Sequence, residues 1–529
     1  MAGIVLVAVA AGGVLGARAL LWPARPVPDF ETQACALPSP WLERIQRGFN
    51  EPRSGQISIL PRTPMYMASG AGGWSHSGPW DYLQDIPLVF YGPGIVPAIG
   101  EVARPVTLAD VAPTMAELVG WPRGVRGGDV LEEVMGPGGW KAPKLIVTVV
   151  WDGGGWNTLE AWESSWPELA RMMTRGVSYR SATVGSSPSV TPAVHSTLGT
   201  GVFPAMHGIT GVPLRDERGE VVDAFLKGES ARFLETRTFA ELWDERVDGR
   251  AEVGMVGYEP WHLGMIGAGA EVSSGDKDDA AWLDIKTNEW ITNETHYSLP
   301  AAIARTAGLD EDLATLDAED GAVDGSWLDH PILSDRARIE ETPAFIRYHA
   351  RVLVELIAAE GYGRDSITDL LFTNFKQIDR VGHYFNMASE EVEQSLRVTD
   401  EQLPILTDEL DDLVGRGRWV LIVTADHGQQ PDAPEAGGYG IRPKEVAADI
   451  RAEFGPVVEA VWPTEVFLDD DALAEHDVTI EEIARWLGEY EVGDNIEEGL
   501  GEEENLIVPR PERVFEMAIP ARLLPGLRC

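Results

Sequence analysis

Acidic and imidazole side chains follow three separate apolar runs of this sequence. Asp152 follows the first run, Asp379 and His383 follow the second, and Asp426 and His427 follow the third. Carboxylates mixed with imidazoles suit zinc or a similar divalent cation. Any one of these groups could instead be a cap or a turn former, because Asp is common at such places. The three clusters together predict a metal centre, where two neighbouring ions would activate an attacking oxygen and stabilise a leaving oxygen.

A hydroxyl group that could supply the attacking oxygen lies between Ser189 and Gly201. Thr191 directly precedes Pro192, and because proline favours the first position of a helix, Thr191 is predicted at a helix entrance. The free backbone N–H groups and the positive helix dipole at that place favour an alkoxide and a bound phosphate. A capping role alone is the alternative. Metal coordination is what would make a threonine a competent nucleophile.

The elements that must position these groups are predicted to form a parallel sheet. Continuous apolar runs at 144–151, 369–374 and 418–425 are typical of strands buried on both faces. Amphipathic stretches at 342–360 and 389–413 predict flanking helices. The predicted fold class is α/β, with a mostly parallel central sheet flanked by helices and with ligands at the carboxyl ends of the strands.

The composition limits the partners. The chain has 529 residues and a formal net charge of -43, and 44% of its residues are hydrophobic. A core large enough for a big α/β domain is therefore available, and the negative charge argues against a nucleic acid polymer as partner. An anionic substrate would also be repelled, so a phosphate site needs local positive charge, which bound metal ions would supply.

The start of the chain predicts its compartment. Residues 1–28 are mostly apolar and then Pro-rich, which fits a signal peptide or a short membrane anchor, with a buried helix as the alternative. Either of the first two predicts an extracytoplasmic protein, secreted or anchored and facing outward. The two cysteines, Cys35 and Cys529, can pair in such an oxidising compartment.

The order and context of the polar groups resemble those of the alkaline phosphatase superfamily, in particular its type I phosphodiesterases, nucleotide pyrophosphatases and single-domain alkaline phosphatases. The matching motifs are Asp152, Thr191-Pro192-Ala193-Val194-His195, Asp379-Arg380-Val381-Gly382-His383 and Ala425-Asp426-His427-Gly428. The resemblance implies a hydrolase of small-molecule or lipid-linked phosphoesters that forms a phospho-threonine on Thr191. It implies two divalent ions, with zinc as the expected metal. One ion would be held by Asp379, His383 and a further histidine, and the other by Asp152, Asp426, His427 and Thr191.

The further histidine is missing from the place where the family has it. It should follow His427 in a Gly-rich loop before an apolar strand, and the only later histidine, His476, has neither neighbour. Ser75-His76-Ser77-Gly78, followed by Ile86–Gly92, has that context but lies near the other end of the chain. The resemblance therefore implies a circular permutation with His76 as the ligand, and His476 is the alternative.

The permutation predicts the domain organisation. Residues 29–135 would be the C-terminal part of the catalytic domain moved to the front, 136–144 the linker, and 145–529 the rest of the domain. Within the rest, the Trp-rich stretch at about 212–334 is predicted to be a cap-like insertion, with further core as an equal alternative.

The same permutation makes a prediction about the two cysteines. The new cut would lie between Cys529 and the segment that begins near Cys35, so the two residues should be neighbours in space. A Cys35–Cys529 disulfide would then join the two chain segments covalently where the permutation separates them, and it would constrain the unfolded chain. Two unpaired thiols are the alternative.

The chain departs from the family at a phosphate contact. Relatives carry an Asn after the His-Gly-Ile segment, and this chain has Val212 there. Asn374 and Lys376 are the candidate phosphate contacts in its place, although a plain surface charge would also explain Lys376. His195 and His207 are interpreted as structural or as supports of the ligands.

Two other functions stay open at this point. A transferase of the same fold would pass a phosphoryl group or phospho-headgroup to an acceptor alcohol. A non-catalytic relative would keep the metals for binding, and the missing Asn leaves room for it. The complete set of metal ligands favours catalysis. A sulfatase is disfavoured, because Thr191-Pro192 is not followed by the expected Arg.

Overall fold

The structure is a computed structural model that describes residues 27–68, 74–136, 139–269, 277–335, 338–432, 436, 438–495 and 511–529. The predicted signal or anchor segment, residues 1–28, lies outside the described residues except for its last two positions. Within the described residues, no helix combines the length and the hydrophobicity needed to cross a membrane.

The described elements alternate strands with helices along most of the chain. The strands are β1 (Ile57–Pro61), β2 (Tyr66–Met67), β3 (Asp85–Ile86), β4 (Leu88–Tyr91), β5 (Gly100–Val102), β6 (Val106–Thr107), β7 (Leu145–Trp151), β8 (Val177–Tyr179), β9 (Ala182–Thr183), β10 (Pro213–Arg215), β11 (Val221–Asp223), β12 (Val253–Val256), β13 (Asp279–Asp284), β14 (Glu289–Ile291), β15 (Asp369–Phe375), β16 (Trp419–Ala425), β17 (Gly440–Ile441), β18 (Val458–Trp462), β19 (Glu465–Leu468) and β20 (Phe515–Pro520). The α-helices are α1 (Phe30–Cys35), α2 (Ser39–Gly48), α3 (Asp81–Gln84), α4 (Val111–Leu118), α5 (Trp156–Ala161), α6 (Pro167–Arg175), α7 (Thr191–Thr200), α8 (Pro204–His207), α9 (Phe239–Arg246), α10 (Ala301–Arg305), α11 (Leu309–Asp317), α12 (Pro343–Leu356), α13 (Gln377–Phe385), α14 (Glu390–Leu410), α15 (Pro443–Phe454), α16 (Asp470–His476) and α17 (Ile480–Glu489).

The centre of the fold is a sheet that, in the part of the chain described, has nine strands in the order β14-β13-β12-β15-β7-β16-β4-β8-β5. The run from β13 to β16 is parallel throughout, and β4 and β14 are antiparallel to their neighbours. The prediction of an α/β fold with a mostly parallel central sheet is confirmed.

The sheet is covered on both faces, which explains its continuous apolar strands. Along β7, Ile146 and Val150 pack into one core with residues of α4 and α7. Val147 and Val149 pack into the opposite core with residues of α12 and α14. A strand between two such layers has no solvent-facing side, so both alternate sets of its residues are hydrophobic.

The segment at about 212–334 was predicted to be a cap-like insertion, with further core as an equal alternative. It supplies β12, β13 and β14 to the central sheet, so this part of it belongs to the core. The sequence left the two alternatives open because β12 has four residues and β14 has three, and runs this short show no clear periodicity.

The residues that precede β7 are built into the same fold. β4 lies between β16 and β8 in the central sheet, and β1 lies between β19 and β20 in a second sheet. Cys35 at the end of α1 forms a disulfide with Cys529, with the two Cα atoms 5.3 Å apart, which confirms the predicted bond. The start and the end of the described chain are therefore joined covalently.

Candidate active site

The carboxyl ends of adjacent parallel strands bring the predicted ligands together. Asp152 follows β7, Asp379 lies in α13 directly after β15, and Asp426 and His427 follow β16. All four side chains are buried. Because β15, β7 and β16 are neighbours in one sheet, their ends place these groups side by side, as open α/β sheets place their ligands.

Thr191 is the first residue of α7 and is buried beside this edge of the sheet. Its hydroxyl makes no capping hydrogen bond to its own helix within the described residues; the residue before the helix, Val190, has an extended backbone instead. The Thr191 Oγ1 atom accepts a hydrogen bond from Lys376 Nζ at 3.3 Å. The hydroxyl is thus directed toward the cluster rather than used as a cap.

Asp379 is the centre of one set of donors. His76 Nε2 lies 3.3 Å from Asp379 Oδ1, and His383 Nε2 lies 3.3 Å from Asp379 Oδ2. His76 Nδ1 donates to the carbonyl oxygen of Ser189 at 2.9 Å, and His383 Nδ1 donates to the carbonyl oxygen of Trp74. Both imidazoles are therefore oriented by backbone carbonyls, and in the neutral ring the Nε2 lone pair faces the carboxylate.

His427 is the centre of the other set. Its Nε2 atom lies 3.4 Å from Asp152 Oδ1, 3.6 Å from Asp426 Oδ2 and 3.9 Å from Asp379 Oδ1. Its Nδ1 atom donates to the Gly428 carbonyl oxygen at 3.0 Å. Burial lowers the pKa of His427, but the surrounding carboxylates outweigh it and raise the value to about 9. The Nε2 position thus calls for a positive charge, which is a proton or a metal ion.

The residues present fit divalent cations. Within the described residues, Asp426 Oδ2 and His427 Nε2 are buried and make no hydrogen bond. Two triads of this region, His76-Asp379-His427 and Asp152-Asp426-His427, each have one potential ligand atom per residue within 4.8 Å of the others. Buried oxygen and nitrogen atoms that face one another without hydrogen bonds are the arrangement expected around a shared cation.

Lys376 lies between the two sets of donors. Its Nζ atom is 3.0 Å from Asp152 Oδ1 and 2.7 Å from Asp379 Oδ2. Burial disfavours the ammonium, but Asp152, Asp379 and Asp426 together outweigh that effect and raise the pKa of Lys376 above its ordinary value. Lys376 is therefore a buried permanent charge within the cluster and not a surface charge.

The remaining predicted positions divide between the site and its surroundings. Asn374 Nδ2 donates to Asp152 Oδ2 at 2.9 Å, so Asn374 orients a predicted ligand. Val212 lines a cavity of about 600 Å³ that opens in front of Thr191 and Lys376. His207 is buried and lies 3.1 Å from Thr197 Oγ1, within the helical layer. His476 is exposed in α16, in contrast to the buried His76.

The structure adds residues that the motifs did not single out. His262 Nδ1 lies 3.0 Å from His195 Nδ1, and His195 Nε2 lies 3.5 Å from Asp426 Oδ2. Glu259 lines the cavity with Thr191. Glu259 and His262 follow β12, which pairs with β15 in the central sheet. Knowledge of this pairing would have identified both residues as site candidates, but a run of four residues does not reveal it.

Comparison with known proteins bears on this arrangement. The family model described as Type I phosphodiesterase / nucleotide pyrophosphatase matches residues 146–523. The chain belongs to this family.

Its relatives include enzymes that act on phosphoesters. Alkaline phosphatase PafA of Elizabethkingia meningoseptica is 24% identical over 399 residues, which cover 64% of this chain and 72% of the relative. Alkaline phosphatase PhoV of Synechococcus elongatus is 25% identical over 331 residues, which cover 54% of this chain and 59% of the relative. The crystal structure of wild-type PafA has a TM-score of 0.54 at 21% identity, covering 70% of this chain and 81% of that chain. The structural likeness supports the alkaline phosphatase-like fold.

This member of the type I phosphodiesterase / nucleotide pyrophosphatase family is a phosphoric ester hydrolase. The family match spans Asp152, Thr191, Asp379, His383, Asp426 and His427, and it begins well after His76.

Proposed function

We propose that the protein is a two-metal phosphoric ester hydrolase that works through a phospho-threonine on Thr191. The observation that carries the proposal is the placement of Thr191 Oγ1 against Lys376, which in turn contacts both Asp152 and Asp379. The hydroxyl thus lies where two sets of cation-binding groups meet. This is the position that an in-line attack on a phosphoryl group requires of a nucleophile.

The two ions are assigned to the two sets of donors. Asp379, His383 and His76 would hold one ion, and Asp152, Asp426, His427 and Thr191 would hold the other. Zinc is the proposed metal because it accepts carboxylate oxygen together with imidazole nitrogen. Bound there, the ions supply the positive charge that makes a threonine hydroxyl acidic and stabilises the leaving oxygen.

The chain's own groups then carry out a two-step exchange. Thr191 Oγ1 loses its proton to solvent and forms a bond to phosphorus, while the bond from phosphorus to the ester oxygen breaks and the leaving alkoxide takes a proton from solvent. Water then attacks phosphorus, the bond from phosphorus to Thr191 Oγ1 breaks, a water proton returns to Thr191, and phosphate or a phosphate monoester is released. The start of α7 directs its dipole at the phosphoryl group. Lys376 is the proposed phosphate contact, since it lines the cavity and Val212 offers no donor.

The circular permutation and the extracytoplasmic location are part of the proposal. The family match starts at residue 146, yet His76 and β4, which precede it, complete the site and the sheet, and this supports a permuted order. The Cys35–Cys529 disulfide supports an oxidising compartment. Small-molecule or lipid-linked phosphoesters are the proposed substrates.

Turnover of two chromogenic esters tests the function. The zinc-loaded protein should hydrolyse p-nitrophenyl phosphate, bis-p-nitrophenyl phosphate or both, and a chelator should abolish turnover. Thr191→Ala should lower kcat at least about 1000-fold, because the nucleophile is lost. Thr191→Ser, which keeps a hydroxyl, should retain measurable turnover and should yield a phosphorylated tryptic peptide after an acid quench. Full activity in Thr191→Ala would refute the mechanism.

A further inference from the structure

Glu259 has a carboxyl group in the active-site cavity, and the proposed hydrolytic mechanism assigns no role to it. It follows β12, the strand next to β15, and so lies at the same edge of the sheet as Asp152. It lines the cavity of about 600 Å³ together with Thr191 and Lys376. A carboxylate close to a bound phosphoester repels it, so its presence in this cavity needs a reason.

One carboxylate oxygen of Glu259 has no hydrogen-bond partner among the described residues. This atom, Oε2, is buried. An unsatisfied buried polar group destabilises the folded protein, and such a group in a functional cavity points to a ligand. Burial is the main effect on the Glu259 carboxyl group and raises its pKa to about 7. The negative charges of Asp223 and Asp152 also raise this pKa, whereas the positive charges of Lys376 and Arg380 lower it.

The nearby cations already have other partners. Lys376 contacts Asp152, Asp379 and Thr191. The Arg380 guanidinium carbon lies 5.2 Å from the ring centre of Tyr384 and 5.9 Å from that of Tyr258. An Arg380 nitrogen is 3.5 Å from Glu341 Oε1. Within the described residues neither cation forms an ion pair with Glu259, so a cationic group of a ligand can serve as its counter-ion.

The cavity that Glu259 lines has aromatic walls that suit an organic cation, and Trp74, Trp261 and Trp462 are among them. Of the other aromatic rings that line it, Tyr258 and Tyr384 already face Arg380, and Phe467 already faces Arg215. The Trp261 indole is held in place by Nε1 hydrogen bonds to the two Asp223 carboxylate oxygens, at 3.2 and 3.3 Å. Aromatic faces beside a carboxylate are the usual binding environment of alkylammonium groups. A cavity of this size also exceeds what a phosphoryl group alone fills.

We propose that this cavity binds the alkylammonium group of an amino-alcohol phosphoester, with Glu259 as its counter-ion and the surrounding aromatic rings as its walls. The proposal rests on the proposed function, because the phosphoryl group of the same substrate lies against Thr191. The ammonium also explains how an acidic protein accepts a phosphoester, since the ligand brings its own compensating charge.

Two diesters of equal shape test the proposal. One is p-nitrophenyl phosphorylcholine, and the other is p-nitrophenyl 3,3-dimethylbutyl phosphate, in which carbon replaces the quaternary nitrogen. At pH 7.5 the zinc-loaded protein should show a kcat/KM for the choline ester about tenfold higher, the size expected of a desolvated cation contact. Glu259→Gln should reduce the ratio to about one by removing the advantage of the choline ester, and it should not lower kcat/KM for the dimethylbutyl ester, whose tail carries no charge.

A matched variant tests whether the effect is specific to Glu259 and is not produced by every glutamate of the cavity. Glu465 also lines the cavity, accepts a hydrogen bond from the Gly55 N–H at 2.5 Å and has a pKa raised by burial to about 8. Its carboxyl group thus already has a partner in the protein, and Glu465→Gln should keep the wild-type ratio. Thermal melting of each variant establishes that it is folded.

Other outcomes overturn the proposal. A wild-type ratio near one, or a ratio that persists in Glu259→Gln, removes Glu259 from ammonium recognition. An equal loss for both esters in Glu259→Gln places its role at the phosphoryl group instead. The proposed function itself fails only if p-nitrophenyl phosphate and bis-p-nitrophenyl phosphate are also not hydrolysed. If neither choline-type ester is hydrolysed, calorimetric binding of both to Thr191→Ala decides the inference: equal affinity contradicts it, and tighter binding of the choline ester upholds it.

Discussion

Lys376 shows how a single buried residue can shape a metal centre. It is the cation that contacts Asp152, Asp379 and Thr191 at 3.0, 2.7 and 3.3 Å. The sequence analysis left a surface charge as its alternative, because a lysine after a strand carries no sign of its burial. Its burial follows from the position of β15 in the middle of the sheet, and that position cannot be inferred from neighbouring residues.

We expect Lys376→Met to destabilise the metal-free protein. After chelation, Asp152, Asp379 and Asp426 would lie together with the protonated His427 but without the Lys376 ammonium, and loss of one partner from a buried ionic cluster costs about 3–5 kcal/mol. Added zinc should restore most of the loss. Denaturant unfolding with and without zinc measures both effects, with the exposed Lys444→Met as control. Equal stability of wild type and Lys376→Met after chelation would argue against the charge role of Lys376.

Glu465 gives the stability a component that depends on pH. Burial raises its pKa from 4.5 to about 8. A carboxyl whose pKa is raised on folding contributes stability that is complete below pH 4.5 and declines as the pH rises toward 8, by at most about 1.4 kcal/mol per pH unit. Glu465→Gln should therefore gain stability relative to wild type between pH 5 and pH 8. Denaturant titrations at the two pH values measure this, and an unchanged difference would contradict the assignment.

At the scale of elements, the chemistry was easier to predict than its surroundings. β7, β15 and β16 each have seven residues, all buried, and this length makes a buried strand recognisable. β12 has only four, so Glu259 and His262 were missed. The helix entrance at Thr191 was predictable because Pro192 marks it, whereas the partner that packs against this helix was not.

The packing of α7 depends on Gly199. A Cβ atom there would lie 2.7 Å from the Met265 carbonyl oxygen and closer still to that of Gly264, in the 3₁₀ helix Pro260–Met265. We expect Gly199→Ala to push α7 away from this helix, to cost about 1–3 kcal/mol and to lower kcat because Thr191 moves with α7. Melting and kcat measurements test this. Gly526→Ala, where no atom lies within 4 Å of the added Cβ, is the control, and an unaffected Gly199→Ala would refute the argument.

At the scale of the whole molecule, the site joins parts that are far apart in sequence. His76 lies before the part of the chain that matches the family model, and its ring stacks on that of His427 with the centroids 3.5 Å apart. The family resemblance identified His76 by the Gly-rich loop around it. The number of potential metal ligands near His76 in the sequence would not have identified it. The disulfide followed from the same reasoning about chain order. The boundaries at 29–135 and 136–144 stay predictions.

Metal content of two histidine variants tests the central claim most directly. The account predicts about two zinc ions per wild-type chain, about one in His76→Ala with nearly all esterase activity lost, and wild-type values in His476→Ala. Elemental analysis of the purified proteins, with circular dichroism to show that both variants are folded, gives the answer. A His76→Ala protein that keeps both ions and full activity, or a His476→Ala protein that loses one ion, would contradict it.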